Sequence, residues 1–336
     1  MKELWIHAGM PKNGTSALQV FFAKNIKNLE KEGIDYINLE NIEDAKKGFI
    51  SSGNAAVFAK KLRSDSFEDL YNETNGSYQK LLTHIKESSF TKFLLSSEFF
   101  ATVPAKRYKK MIDDLKELDV VVKIIYYVRR QDQFLMSAYM QEVKRNRYTG
   151  YPEEFVLKNY KKWHLNYYDL TKNFVHLFGK ANVKVSIYDS TKTYQYGIVE
   201  HFLFELLQYT PEWIYSEKYI NTSPSPYEIK MMLFANQYKP RMKFSDILVE
   251  NSAMSNRSRP FSQHNILSIE MLKMIDEYYQ ESNKLFEKEF IHNTSFPPYN
   301  FEFDYVDLKE LRFDVEDVLD IITGFLVYFD KKINIK

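Results

Sequence analysis

Leu4-Trp5-Ile6-His7-Ala8-Gly9-Met10-Pro11-Lys12-Asn13-Gly14-Thr15-Ser16-Ala17-Leu18 is the stretch whose reading decides the fold. Leu4 to His7 is a short apolar run of strand type, and Gly9 and Gly14 bracket a loop where the backbone can turn tightly or approach a ligand closely. From Thr15 the period changes, because Leu18, Phe21, Phe22, Ile26 and Leu29 recur at helical spacings of three and four. A strand that passes through a glycine loop into a helix start presents unpaired N–H groups and the positive end of the helix dipole. The expected ligand is therefore an anion such as phosphate or sulfate. Thr15 and Ser16 add hydroxyl donors.

Further apolar strand candidates lie near residues 34–38, 92–96, 120–128 and 183–188, with the first at 3–8, and helical patterns separate them. That alternation predicts an α/β protein with a P-loop-like parallel sheet flanked by helices. The expected organisation is a single domain over 1–336, with a nucleotide-binding α/β core over 1–210 and a mainly helical extension over 211–336 packed on it. After about residue 290 no motif is recognisable. A net charge of +1 argues against a nucleic-acid polymer as partner, and the absence of cysteine excludes disulfides, metal-thiolate sites and thiol catalysis. No metal-ligand cluster is visible in the sequence. The chain goes straight into a strand with no signal peptide in view, and no apolar run approaches the ~20 residues of a membrane helix, so a cytoplasmic protein is expected. Nothing in the sequence fixes an oligomeric state.

The loop spacing approaches the Gly-x4-Gly-Lys-Ser/Thr pattern of nucleotide triphosphatases, but Thr15 stands where that lysine belongs and the lysine lies inside the loop, at Lys12. There its ammonium can sit beside a bridging oxygen between two anionic groups while the N–H groups cradle the first. Lys12-x-Gly14-Thr15 resembles the nucleotide loop of sulfotransferases, which implies that Lys12, Asn13, Gly14, Thr15 and Ser16 bind the 5′-phosphosulfate of 3′-phosphoadenosine 5′-phosphosulfate (PAPS). The strand run Val120 to Val128 is followed at once by Arg129-Arg130-Gln131-Asp132. In sulfotransferases an arginine ending a central strand and a serine eight positions on hold the 3′-phosphate, and Arg129 and Ser137 match that spacing. Arg130 either pairs with a carboxylate or helps with the same phosphate. Phe93-Leu94-Leu95-Ser96-Ser97-Glu98 reads as a buried strand ending in a carboxylate, where a base for an acceptor hydroxyl would sit. Glu98 is the expected general base, against the alternative of an ordinary salt bridge. His7 is the second candidate, although a histidine on a strand reads more readily as a packed, hydrogen-bonded residue.

Together these segments resemble a bacterial PAPS-dependent sulfotransferase of the carbohydrate type. Weaker matches are Gly53-Asn54, the stretch from Tyr168 to Phe178-Gly179, and Asn221-Thr222-Ser223-Pro224-Ser225. The resemblance implies transfer of a sulfuryl group from PAPS to a hydroxyl of a glycan or glycolipid, leaving 3′-phosphoadenosine 5′-phosphate (PAP), without a metal and with Lys12 and Glu98 as the catalytic residues. It also implies that a late basic loop completes the 3′-phosphate pocket, which would be Arg257 and Arg259; a surface loop is the other reading. A P-loop-type small-molecule kinase and a non-catalytic nucleotide- or glycan-binding module remain open alternatives. Lys144-Arg145-Asn146-Arg147-Tyr148 reads equally as a border of the site or a solvated helix end. Trp163, His164, Tyr167 and Tyr168 suit a sugar platform or a core cluster. The stripe Val315, Val318, Leu319, Ile322, Phe325 and Leu326 suits core, a dimer face or a membrane surface, and core packing is expected of it because acidic residues share the helix.

Overall fold

The structure is a computed structural model that describes residues 1–10, 13–39, 42–48, 52–74, 76–214, 224–238, 244–245, 247–248, 264–291 and 294–333. Lys12, Arg257, Arg259 and Asn221 to Ser223 lie outside the described residues. Five strands form one sheet: β1 (Lys2–Ala8), β2 (Ile34–Tyr36), β3 (Lys92–Ser97), β4 (Val120–Val128) and β5 (Val183–Ile187). Their order is β2-β3-β1-β4-β5 and every pairing is parallel. This is the α/β architecture that the strand spacing predicts, with α1 (Thr15–Lys24), α2 (Ala56–Arg63), α3 (Tyr167–Phe178) and α4 (Gly197–Leu207) among the flanking helices.

The central strands read as unbroken apolar runs because both sheet faces are covered. On one face Trp5, Leu94, Ile125 and Tyr127 join Leu18, Phe21 and Phe22 of α1 and Phe202, Leu203 and Leu206 of α4 in one core cluster. On the other, Tyr126 meets Phe174 of α3 at 5.6 Å between ring centroids, and Phe178 meets Tyr108 at 5.4 Å. Each fully buried side chain of this kind contributes roughly 1.5–3 kcal/mol.

Two compact units interleave along the chain. One comprises Met1–Arg130, Lys162–Tyr219 and Gln280–Pro297, and the other Gln131–Lys161, Ile220–Tyr279 and Pro298–Lys336. The sheet and α1 to α4 belong to the first. In the second, Phe155 packs at 5.7 Å from both Tyr139 and Tyr148, and Asn236 Nδ2 donates to the carbonyls of Val143 and Tyr148 at 2.9 Å. Tyr148 thus serves the packing of this unit. The helix Val315–Ile333 departs from the expected core packing, because Val315 is 76% exposed and Leu319, Ile322 and Leu326 are also exposed. An amphipathic period states that a face is apolar, not that another element covers it. Among the described residues no helix is long and apolar enough to cross a membrane, and no group of three metal-ligating side chains occurs.

One buried side chain ties the edge of the sheet together. Asn54 Nδ2 donates to the carbonyls of Ile37 at 2.7 Å and Leu94 at 2.9 Å, while its Oδ1 accepts from the N–H of Ser96 at 2.7 Å. Gly53 brings it there with φ of 96°, and a Cβ at that position would lie 1.9 Å from the Ser96 carbonyl oxygen. Asn54→Ala leaves two carbonyls and one N–H without their partner, so we expect a loss of about 2–4 kcal/mol, read as a lowered urea midpoint at unchanged slope.

Candidate active site

Parallel pairing brings the carboxyl ends of β3, β1 and β4 to one edge. His7 is in register with Ser96 on one side and Ile125 on the other, and Ala8 with Ser97. The segments released there are Glu98 after β3, the loop from Gly9 to Gly14 after β1, and Arg129 after β4. This is the edge at which open α/β sheets bind ligands. The Gly9 N–H donates to the Ser97 carbonyl at 3.0 Å, and Asn13 Nδ2 donates to the Tyr127 carbonyl at 2.8 Å, so the loop is fastened to both neighbouring strands.

Gly14 begins α1 in the left-handed region, with φ of 73°, and neither a side-chain cap nor an acidic residue occupies the first turn. The first-turn N–H groups therefore have no built-in anion, an arrangement that can accept an anionic group. The Thr15 hydroxyl donates to the Met10 carbonyl at 3.1 Å, and Thr15 is buried, so its side chain braces the loop. Asn13 is buried as well, and its Oδ1 has no hydrogen-bond partner among the described residues. Ser16 is partly buried, as is Glu98.

Arg129 is held from two directions. Its guanidinium carbon stands 4.3 Å from the centroid of the Tyr188 ring, and its carbonyl accepts from the Tyr167 hydroxyl at 2.7 Å. The same Tyr188 ring limits Gly14, where an added Cβ would meet Tyr188 and Ile198 at 3.0 Å. Tyr188 thus borders both the start of α1 and Arg129, a role no sequence motif revealed; the only signal was an aromatic residue directly after an apolar strand. Arg130 has a different fate, being buried with Nη1 donating to the Pro297 carbonyl at 2.9 Å. Ser137 is buried on the helix Gln131–Arg145 of the second unit, whereas Arg129 belongs to the first. Of the four aromatic candidates, Tyr167 is core, packed at 6.0 Å from Phe286 and Phe296, while Trp163 is 50% exposed.

His7 is fully buried, with Nδ1 2.8 Å from Ser96 Oγ and its ring edge-on to Phe202 at 5.2 Å. Burial pushes its ring down to about 3. Burial also lowers His201, which lies 3.0 Å from the Tyr127 hydroxyl.

No family model matches the chain, and no curated protein does. Among solved structures the chain is similar to a sulfotransferase from Alicyclobacillus acidocaldarius, at 15% identity and a TM-score of 0.34 over 70% of this chain and 93% of that one. It is similar also to retinol dehydratase in complex with androsterone and the inactive cofactor PAP, at 12% identity and a TM-score of 0.37 over 88% and 83%. A chain of the PezAT toxin–antitoxin system of Streptococcus pneumoniae shows 14% identity and a TM-score of 0.28 over 71% and 85%.

The buried histidine yields a pH test. Between its native value of about 3 and the ordinary 6.5, His7 is neutral when folded and protonated when unfolded. The unfolded state then binds more protons, and stability falls as pH drops from 6.5 toward 3. One such proton steepens the decline by about 1.4 kcal/mol per pH unit. His7→Gln does not titrate and can still bond Ser96. Urea melts between about pH 4.5 and 6 should show a shallower decline for this variant by about that amount; equal slopes would mean that His7 is not buried in its neutral form.

Proposed function

We propose that this protein is a sulfotransferase that moves the sulfuryl group of PAPS to a hydroxyl of a glycan or glycolipid acceptor, releasing PAP. The observation that carries the reading is the meeting at one sheet edge of an uncapped helix N-terminus in a lysine-containing glycine loop, a carboxylate and an arginine. PAPS supplies an activated sulfuryl group whose leaving phosphate develops negative charge. Lys12 and the N–H groups of Gly14, Thr15 and Ser16 hold the phosphosulfate and stabilise that charge, the electrostatic work at which positioned donors are most effective. Arg129, with its guanidinium braced on Tyr188, takes the 3′-phosphate as a two-pronged donor, and Ser137 adds a hydroxyl. Arg257 and Arg259 are assigned to the same phosphate from the sequence resemblance alone. Glu98 accepts the proton of the acceptor hydroxyl as that oxygen forms its bond to sulfur.

Calorimetry with PAP, with adenosine 5′-phosphate and with ATP tests the reading. PAP should bind most tightly, and Arg129→Ala should weaken it by about 10- to 100-fold while leaving adenosine 5′-phosphate nearly unaffected. Preference for ATP would instead indicate a kinase.

Glu98→Gln keeps size and part of the hydrogen bonding but cannot take a proton at neutral pH. Turnover of labelled PAPS onto a glycan panel, followed by mass spectrometry, should drop by ~10² to 10⁴ with PAP affinity preserved. A normal rate in this variant under chemistry-limited conditions would remove Glu98 from the mechanism.

A further inference from the structure

We infer that the acceptor is an acidic glycan, and that Lys60 and Arg63 of α2, converging on Phe99 beside Glu98, receive its acidic group; this rests on the sulfotransferase reading above. Phe99 is the residue after the proposed base, at the carboxyl end of β3. Lys60 Nζ lies 4.6 Å from the centroid of its ring and the Arg63 guanidinium carbon 5.1 Å, so one aromatic side chain carries two cations. Arg63 Nη1 also donates to Thr102 Oγ1 at 3.2 Å, which fixes its direction. Both cations are exposed, whereas Phe58, Ala59 and Leu62 of the same helix are buried.

Several other surface cations of this region are paired with carboxylates. Lys61 pairs with Glu73 at 2.6 Å, Lys109 with Asp113 at 3.0 Å and Lys110 with Asp114 at 2.7 Å. Among the described residues neither Lys60 nor Arg63 has a carboxylate within ion-pair distance. A basic last turn complements the dipole of α2 and by itself calls for no ligand. That dipole does not explain why two like charges three residues apart, which repel on a helix, turn onto the same ring next to the base.

The positive field reaches further. Burial, together with the charges of Lys162 and Arg63, lowers His164 to about 4, so this ring is neutral at ordinary pH. Trp163, half exposed and edge-on to His164 at 5.6 Å, offers an indole face suited to a sugar ring. Unpaired cations with an accessible aromatic surface are the chemistry that recognises a saccharide bearing carboxylate or an ester anion.

The test is binding of hexagalacturonate and of neutral maltohexaose to the whole protein without donor, measured by calorimetry on wild type and on Lys60→Ala/Arg63→Ala. Hexagalacturonate should bind at least about tenfold more tightly than maltohexaose and weaken as salt rises from about 50 to about 300 mM. The double variant should lose about tenfold or more in hexagalacturonate affinity, with unchanged thermal stability and unchanged PAP affinity. Equal binding of the two hexasaccharides, no hexagalacturonate binding by wild type, or undiminished binding by the variant overturns the inference. A variant that loses PAP affinity also overturns it, by assigning the two cations to the nucleotide. Wild type that binds hexagalacturonate but not PAP keeps the acidic-glycan site and removes the transferase reading instead.

Discussion

The double pairing of β1, with β3 on one edge and β4 on the other, is the constraint on which the rest of the structure depends. In this register Trp5 and His7 share a sheet face with Leu94, Ser96 and Ile125, against α1 and α4. A slip of one residue would turn every one of those side chains to the opposite face. The same pairing delivers the three post-strand segments to one edge.

Close approach of backbone and ring then shapes that edge. Gly14 tolerates a left-handed backbone and leaves no room for a Cβ beside Tyr188, and Tyr188 in turn supports the Arg129 guanidinium. The helix N-terminus and the arginine, which answer different anionic groups in the proposed reaction, are therefore spaced by one aromatic ring. On the far side of β1 the Gly53-Asn54 pair does comparable work, its carboxamide filling three hydrogen bonds left open by the end of β2 and by β3. Two neighbouring arginines illustrate how tertiary packing divides similar residues: Arg130 is buried on a backbone carbonyl, whereas Arg129 stacks on a ring at the edge.

Beneath the edge the polar groups are kept neutral. His7 and His201 lie on the α4 side of the sheet, and burial holds both below the ordinary histidine range. Charge is thus concentrated where strands end, the position from which it can act on a ligand without the cost of desolvating an unpaired ion in the core.

By itself the sequence determined the α/β class, the strand positions and the residues at the carboxyl edge, because hydrophobic period and glycine placement are local properties that survive without knowledge of partners. The segments that leave β1, β3 and β4 were legible for that reason, since each follows an apolar run. Tyr188 under Arg129, Asn54 between the end of β2 and β3, the inward hydroxyl of Thr15 and the unpaired cations over Phe99 were decided only by tertiary structure. So was the exposure of Val315, Leu319, Ile322 and Leu326, whose helical period promised burial. In each case the deciding partner lies outside the local sequence pattern, and the geometry of a contact between distant segments is written in the packing of the sheet and not in the spacing of any one motif.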